Sequence, residues 1–364
     1  MREVLAATMG LLALTGSLVQ GVAPASAADC LTGPVADRYA ALGGTPGALG
    51  AVTGCELPTA DGRGRFSTFQ RGAIYYSQAS GAWDVSGSFR DLWASTGFEN
   101  GPLHYPVSGE VGTRGGGVFQ NYQGGTLYWS PASAAHSVSG AFLALYGSLG
   151  YESGFLGFPT SQEVPVRDGG VFQVFQGGVA YFSPTSGAHT VSGSFRDLYG
   201  TLGYENGCLG YPTSQELPSR DGGVYQQFQG GVAYWSPSSG AHALCGDLLR
   251  AYGSTGYENG FLGYPTSDEY GIAGGRRVDF QHGYVEWSPS TGARVTGPAV
   301  PVVTTPPPST PPPTPPPPPP STPPAAVYYA NCADVRAHGA APLYSGQPGY
   351  RSGLDRDHDG VACE

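Results

Sequence analysis

Between Gly193 and Pro237 the hydrophobic pattern changes period. In GSFRDLYGTLG, Phe195, Leu198, Tyr199 and Leu202 fall at i, i+3, i+4 and i+7. That spacing predicts one buried face of a helix of about three turns, which Ser192 or Ser194 is placed to cap. After the turn-rich stretch YENGCLGYPTSQELPSRDGG come two short runs of β formers, VYQQFQ and VAYWSP, separated by Gly230 and Gly231. They predict a β-hairpin, so the unit reads as helix, loop, hairpin.

The unit recurs. A Leu-led tetrapeptide returns every 53 or 54 residues at Leu49, Leu103, Leu156, Leu209 and Leu262, as LGAV, LHYP, LGFP, LGYP and LGYP. Such a period marks supersecondary units that cannot bury their apolar faces alone. A helix candidate at 33–44 opens the series and a hairpin candidate at 278–289 closes it, which makes five whole units. The expected fold is an α+β repeat protein whose five helix-loop-hairpin units close into a five-fold, propeller-like ring. A ring is favoured over an open stack because no capping repeat with a distinct polar face stands out.

Composition narrows the partners. The 364 residues include 59 Gly and 33 Pro, as turn-rich β structure and low-complexity sequence require. With 17 basic and 27 acidic residues the net charge is -10, and every basic residue is Arg. No electrostatic footprint favours nucleic acid or an anionic membrane. Residues 1–27 read as a secretory signal: Arg2, an apolar run from Val4 to Leu14, then Ala25-Ser26-Ala27 as the cleavage site. That run is too short to span a bilayer, and nothing later resembles a transmembrane segment, so a secreted, wall-associated protein is expected.

Six cysteines follow the cleavage site, an even number suited to disulfides in an exported chain. Their three separated clusters favour Cys30 with Cys55, Cys208 with Cys245 and Cys332 with Cys363. The expected domains are therefore a signal peptide at 1–27, repeats at 28–297, a proline-rich linker at 298–324 and a small module at 325–364. The linker, with TTPPPSTPPPTPPPPPPSTPP, should be an extended polyproline II spacer with a reach on the order of 80 Å.

In the last segment, DRDHDGVACE places Asp355, Asp357 and Asp359 at alternate positions before Gly360. This is the front half of an EF-hand loop, in which alternating carboxylates converge on Ca2+. Val361 would add its backbone carbonyl, and Glu364 is the natural closing ligand, two positions early for an EF-hand. About 40 residues bury little core, so a Cys332 to Cys363 bridge and one calcium ion would serve as staples. Together with the preceding YYANCADVRAHGAAPLYSGQPGY, this segment resembles the excalibur family of extracellular calcium-binding modules. The resemblance implies Asp355, Asp357, Asp359 and Glu364 as ligands, and the cysteine pair.

The repeats offer aromatics. Tyr75-Tyr76, Tyr128-Trp129, Tyr181-Phe182 and Tyr234-Trp235 lie on the second strand of their hairpins, and the fifth unit keeps only Trp287, after Glu286. Adjacent strand residues point to opposite faces, so one ring of each pair turns outward. An exposed ring with nearby polar groups suits carbohydrate. The candidate glycan-binding set is Tyr128, Trp129, Tyr181, Tyr234, Trp235, Glu205 and Asn206, with Gln215 beside it. The competing reading makes the aromatics core and the Glu-Asn pair a turn closure. His136, His189 and His242 also recur, one per unit, and read as structural.

No nucleophile-base constellation, GxSxG or HExxH occurs, so the chain is not expected to be an enzyme. A glycosidase pair among Glu99, Asp91, Glu110 and their counterparts is the alternative, and a protein-interaction scaffold is a third reading. The helix, GYENG turn, LG[FY]P tetrapeptide and hairpin together resemble the LGFP repeat family of exported actinobacterial proteins. That resemblance implies attachment to the cell wall, with polysaccharide such as arabinogalactan or peptidoglycan as partner.

Overall fold

The computed structural model describes residues 30–298 and 327–364. The signal-type segment 1–27 and the proline-rich linker beyond Pro298 lie outside the described residues. The chain divides into two compact units, one ending at Val300 and one spanning Pro301–Glu364.

The fourth repeat shows how each unit is built. Its helix, Gly193–Thr201, buries Phe195, Leu198 and Tyr199. Gly193 opens the helix at φ +49, a conformation only glycine adopts without strain. Ser192 is the N-cap, yet its hydroxyl bonds no helical N–H; it donates to Glu216 Oε1 at 2.7 Å instead. A 3-10 turn at Tyr204–Asn206 follows. The strands then run Leu217–Pro218, Val224–Gln227, Gly231–Ser236 and Gly240–Cys245 as an antiparallel meander. The hairpin expected from sequence is thus the centre of a four-stranded sheet. A two-residue strand precedes it and the GAHALC strand follows, and all five units repeat this sheet.

The apolar cores lie between units. One cluster joins Val179, Tyr181 and Val191 of the third sheet to Phe195 and Tyr199 of the next helix and to Leu209, Tyr211 and Phe228 of the fourth unit. The helices of the second to fifth units are therefore the filling between two successive sheets, so those units depend on the sheet before them for their cores, whereas the first helix packs on its own sheet alone. Three polar devices register the seam. A buried Gln226 donates to Thr190 O at 2.7 Å in the preceding sheet and to Ser214 O at 2.9 Å in its own; Gln173 and Gln120 do the same one and two units earlier. The helix Tyr199 hydroxyl donates to Gly210 O at 2.8 Å. The tetrapeptide's Tyr211 reaches back to Arg167 O at 2.5 Å, as Tyr264 does to Arg220 O at 2.6 Å. The Leu-Gly-aromatic-Pro motif is hence a buried joint.

The five sheets do not close into a ring, which corrects the expected propeller-like architecture. Each sheet bonds its strands only within itself, and among the described residues no hydrogen bond or ion pair joins the first unit to the fifth. The physical reason is a polar end face. In the inner units Tyr225 and Tyr234 pack against one another and Tyr234 meets the next helix at Tyr252. The fifth sheet has Arg277 and Glu286 at these positions, paired across the strands and bridged at 3.3 Å, with Asp279 also bound to Arg277 at 2.6 Å. Charged groups at the positions of core aromatics end the series.

The disulfides are Cys30–Cys55, Cys208–Cys245 and Cys332–Cys363. In the second compact unit a short helix, Cys332–Ala337, is capped by Asn331. It packs with Leu343, Leu354, Ala362 and Cys363 around Val335, and Leu343–Tyr344 pairs with Val361–Ala362.

Candidate functional site

Two kinds of site arise from this architecture. The first recurs where the helices of the first four units begin. The diverted cap hydroxyl bonds a glutamate 24 residues later: Thr32 to Glu56 at 3.0 Å, Ser86 to Glu110 at 2.9 Å, Ser139 to Glu163 at 2.8 Å and Ser192 to Glu216 at 2.7 Å. Beside this pair stands the outward member of the aromatic pair. Trp129 and Trp235 are half-buried, and each walls a cleft with that unit's glutamate, serine and helical Phe. The cleft is about 120 Å³ at Trp129 and about 300 Å³ at Trp235. Another cavity of about 340 Å³, reaching exposed Phe155, shares Ser192 and Glu216 with the fourth-unit cleft.

The other residues singled out in the repeats sit elsewhere. Tyr128, Tyr181 and Tyr234 are 3–4 % exposed and belong to the seams. Burial raises the pKa of all three hydroxyls well above that of a free tyrosine. Glu205 is buried and accepts from the Asn206 side chain at 2.8 Å. Its counterpart Glu258 also receives the Ser219 hydroxyl of the preceding unit at 2.6 Å, so these turns help hold units together. Sequence reasoning missed the role of Glu110, Glu163 and Glu216 as partners of the cap serines. Their constant distance of 24 residues from those serines was the available signal.

The histidines brace strands. Nε2 of His136, His189 and His242 lies 2.7, 2.9 and 3.0 Å from the carbonyls of Ser133, Ser186 and Ser239. Because a carbonyl only accepts, Nε2 carries the proton. Nδ1 meets the amides of Gln162 and Gln215 in two units, but Asp268 Oδ1 at 3.2 Å for His242.

The second site is acidic. Carboxylate oxygens of Asp355, Asp357 and Asp359 lie within 4.8 Å of one another. Asp355, buried to 3 % exposure, accepts from Tyr350 Oη at 2.6 Å and from the amides of His358 and Gly360, both at 2.9 Å. The Tyr350 bond first, then those amides, hold its pKa below the usual carboxylate range. Asp359 accepts from the Val361 amide at 2.8 Å. Three converging hard oxygens at a glycine turn are the donor set that calcium takes, so the residues fit that ion. Glu364 and Val361 line a cleft with Asp357, but the Glu364 carboxylate lies outside the three-aspartate group, while its backbone carbonyl accepts from Arg336 at 2.8 Å.

Disulfides, tandem units and a calcium-type loop fit an extracellular, calcium-binding repeat protein. Residues 49–101, 103–154, 156–207, 209–260 and 262–300 match the LGFP repeat, and 329–364 match the Excalibur calcium-binding domain. The chain belongs to the LGFP repeat family and carries an Excalibur domain. No curated protein matches it. Among solved structures it is similar to the extracellular domain of BT4673 from B. thetaiotaomicron, at 13 % identity and TM-score 0.13, over 66 % of this chain and 36 % of that one. It thus spans about a third of that domain. It is also similar to a mutant TCP10 domain of Danio rerio CPAP, at 9 % identity and TM-score 0.20 over 66 % and 93 % of the two chains. Hemopexin fold protein CP4 from cow pea gives 13 % identity and TM-score 0.15 over 51 % and 89 %. None of these likenesses bears on function. Among the described residues, no helix is long and apolar enough to cross a membrane.

Proposed function

We propose that this protein is exported, associates with the cell wall and binds wall polysaccharide, arabinogalactan or peptidoglycan, without catalysing a reaction. The observation that carries this reading is the cleft found in the second and fourth units: an outward aromatic face beside a carboxylate already oriented by a hydroxyl. A sugar presents an apolar C–H face and a fringe of hydroxyls, and such a cleft meets both. Weak sites repeated along one chain would add through multivalency. The Excalibur domain, with calcium held by the three aspartates, would serve as a braced module in its own right.

The test is co-sedimentation of the full chain with purified cell walls, before and after chemical removal of their secondary polysaccharide, each with and without a calcium chelator. Retention that falls with the polysaccharide and survives chelation is expected. Equal retention on stripped walls would overturn polysaccharide as the ligand, and release of soluble wall fragments would overturn the non-catalytic assignment.

A further inference from the structure

The five equivalent sites differ at the residue across the hairpin from the outward aromatic, and that difference separates the ends of the series from its interior. Directly across the hairpin from the outward aromatic stands Val118 opposite Trp129, Val171 opposite Phe182 and Val224 opposite Trp235. In the first and fifth units that partner is an arginine: Arg65 opposite Tyr76 and Arg276 opposite Trp287. Both arginines turn to the cleft's own glutamate, Arg65 to Glu56 at 3.3 Å and Arg276 to Glu269 at 2.6 Å. The Arg276 guanidinium also lies 4.6 Å from the centroid of the Trp287 ring. In the fifth unit the cap residue is Cys245, bound in a disulfide, so Arg276 takes over the glutamate that a serine or threonine holds elsewhere.

A guanidinium over an indole with an N–H on a carboxylate occupies the place a sugar ring would take there: a face on the aromatic and a donor on the acid. We infer that the clefts of the three inner units, at Trp129-Glu110, Phe182-Glu163 and Trp235-Glu216, are the sugar-binding subsites, and that Arg65 and Arg276 close the two terminal clefts from within. This rests on the polysaccharide reading above and deepens it to a valence of three. The fourth unit leads, because its cleft is the larger of the two Trp clefts and continues past Glu216 toward Phe155. The ring stacks on the outward aromatic, its hydroxyls donate to the free oxygen of the glutamate, and the serine keeps that carboxylate in place.

The exchange of one residue tests this in both directions. In the full chain, Val118→Arg with Val224→Arg copies the terminal solution into two inner clefts, and retention of solubilised wall polysaccharide should fall at least tenfold. Arg276→Val should open the fifth cleft and raise the number of sugar units bound per chain. Far-ultraviolet circular dichroism and melting temperature check folding, and should the double arginine variant fail to fold, Arg276→Val and Glu216→Gln carry the test. Wild-type retention with no change in any folded variant overturns the assignment while leaving polysaccharide binding intact. No wild-type retention overturns both. Binding abolished by moderate salt and competed by argininamide, but not by neutral oligosaccharide, would show that the clefts take a cationic group and also overturn the assignment.

Discussion

Gly223 and Tyr264 show how single residues set the repeat. A Cβ on Gly223 would stand 2.2 Å from the Tyr264 hydroxyl and 2.9 Å from Trp235 O, so the tetrapeptide aromatic of one unit lies on a bare backbone of the unit before. Gly170 relates to Tyr211 in the same way. A ring locked in a seam cannot swing aside, so Gly223→Ala should destabilise the fold by about 1–3 kcal/mol through overpacking. Tyr264→Phe removes only its 2.6 Å bond to Arg220 O, at a cost of about 1 kcal/mol. Denaturant melts of the two variants check the order; an alanine milder than the phenylalanine would contradict the seam. The recurrence of the aromatic and of the glycine was legible in the sequence. Their contact was not, because 41 residues separate them and no local period links such positions.

Among elements, the helices were the most legible, since Phe195, Leu198 and Tyr199 are all buried as their spacing requires. The last strand of each sheet escaped notice because Gly240–Cys245 is built on glycine and alanine, which carry little strand signal. Its histidine, read from sequence as structural, is a strand brace. On the fourth sheet that brace is ionic, its partner Asp268 coming from the fifth unit. The Asp268 hydrogen bond raises the pKa of His242 above its usual 6.5, and the same bond helps to lower Asp268 below 3.8. The histidine's contribution to stability is full below 6.5 and fades as pH rises through its raised pKa. The aspartate's is present above 3.8 and fades as pH falls through its lowered pKa. The pair therefore acts between about pH 4 and neutrality, and its half-exposure limits it to below about 1 kcal/mol. Asp268→Gln restores the amide found beside His189. The NMR titration midpoint of His242 should then move down; an unmoved midpoint would show that the carboxylate does not set it.

At the scale of the whole molecule, the question is what stops the series. Five units and their order follow from the recurrence of the tetrapeptide, but the ring inferred from them does not form. The deciding signal was present in Glu286, which stands before Trp287 where Tyr234 stands before Trp235, and in Arg277, which stands in register with Tyr225. An isolated glutamate says little by itself. Only its pairing with Arg277, which also binds Asp279, shows that a face built elsewhere to receive a helix has been made polar. If that face is what keeps the fifth unit from stacking further, Arg277→Tyr with Glu286→Tyr should give it the apolar surface of an inner unit. Two aromatic rings would then lie exposed where Tyr234 in the fourth unit finds Tyr252, and such a surface seeks a partner. Light scattering over a concentration series should show the double variant associating under conditions that leave the parent chain unchanged. A variant that matches its parent at every concentration would mean that the charged face is incidental and that chain length alone ends the series.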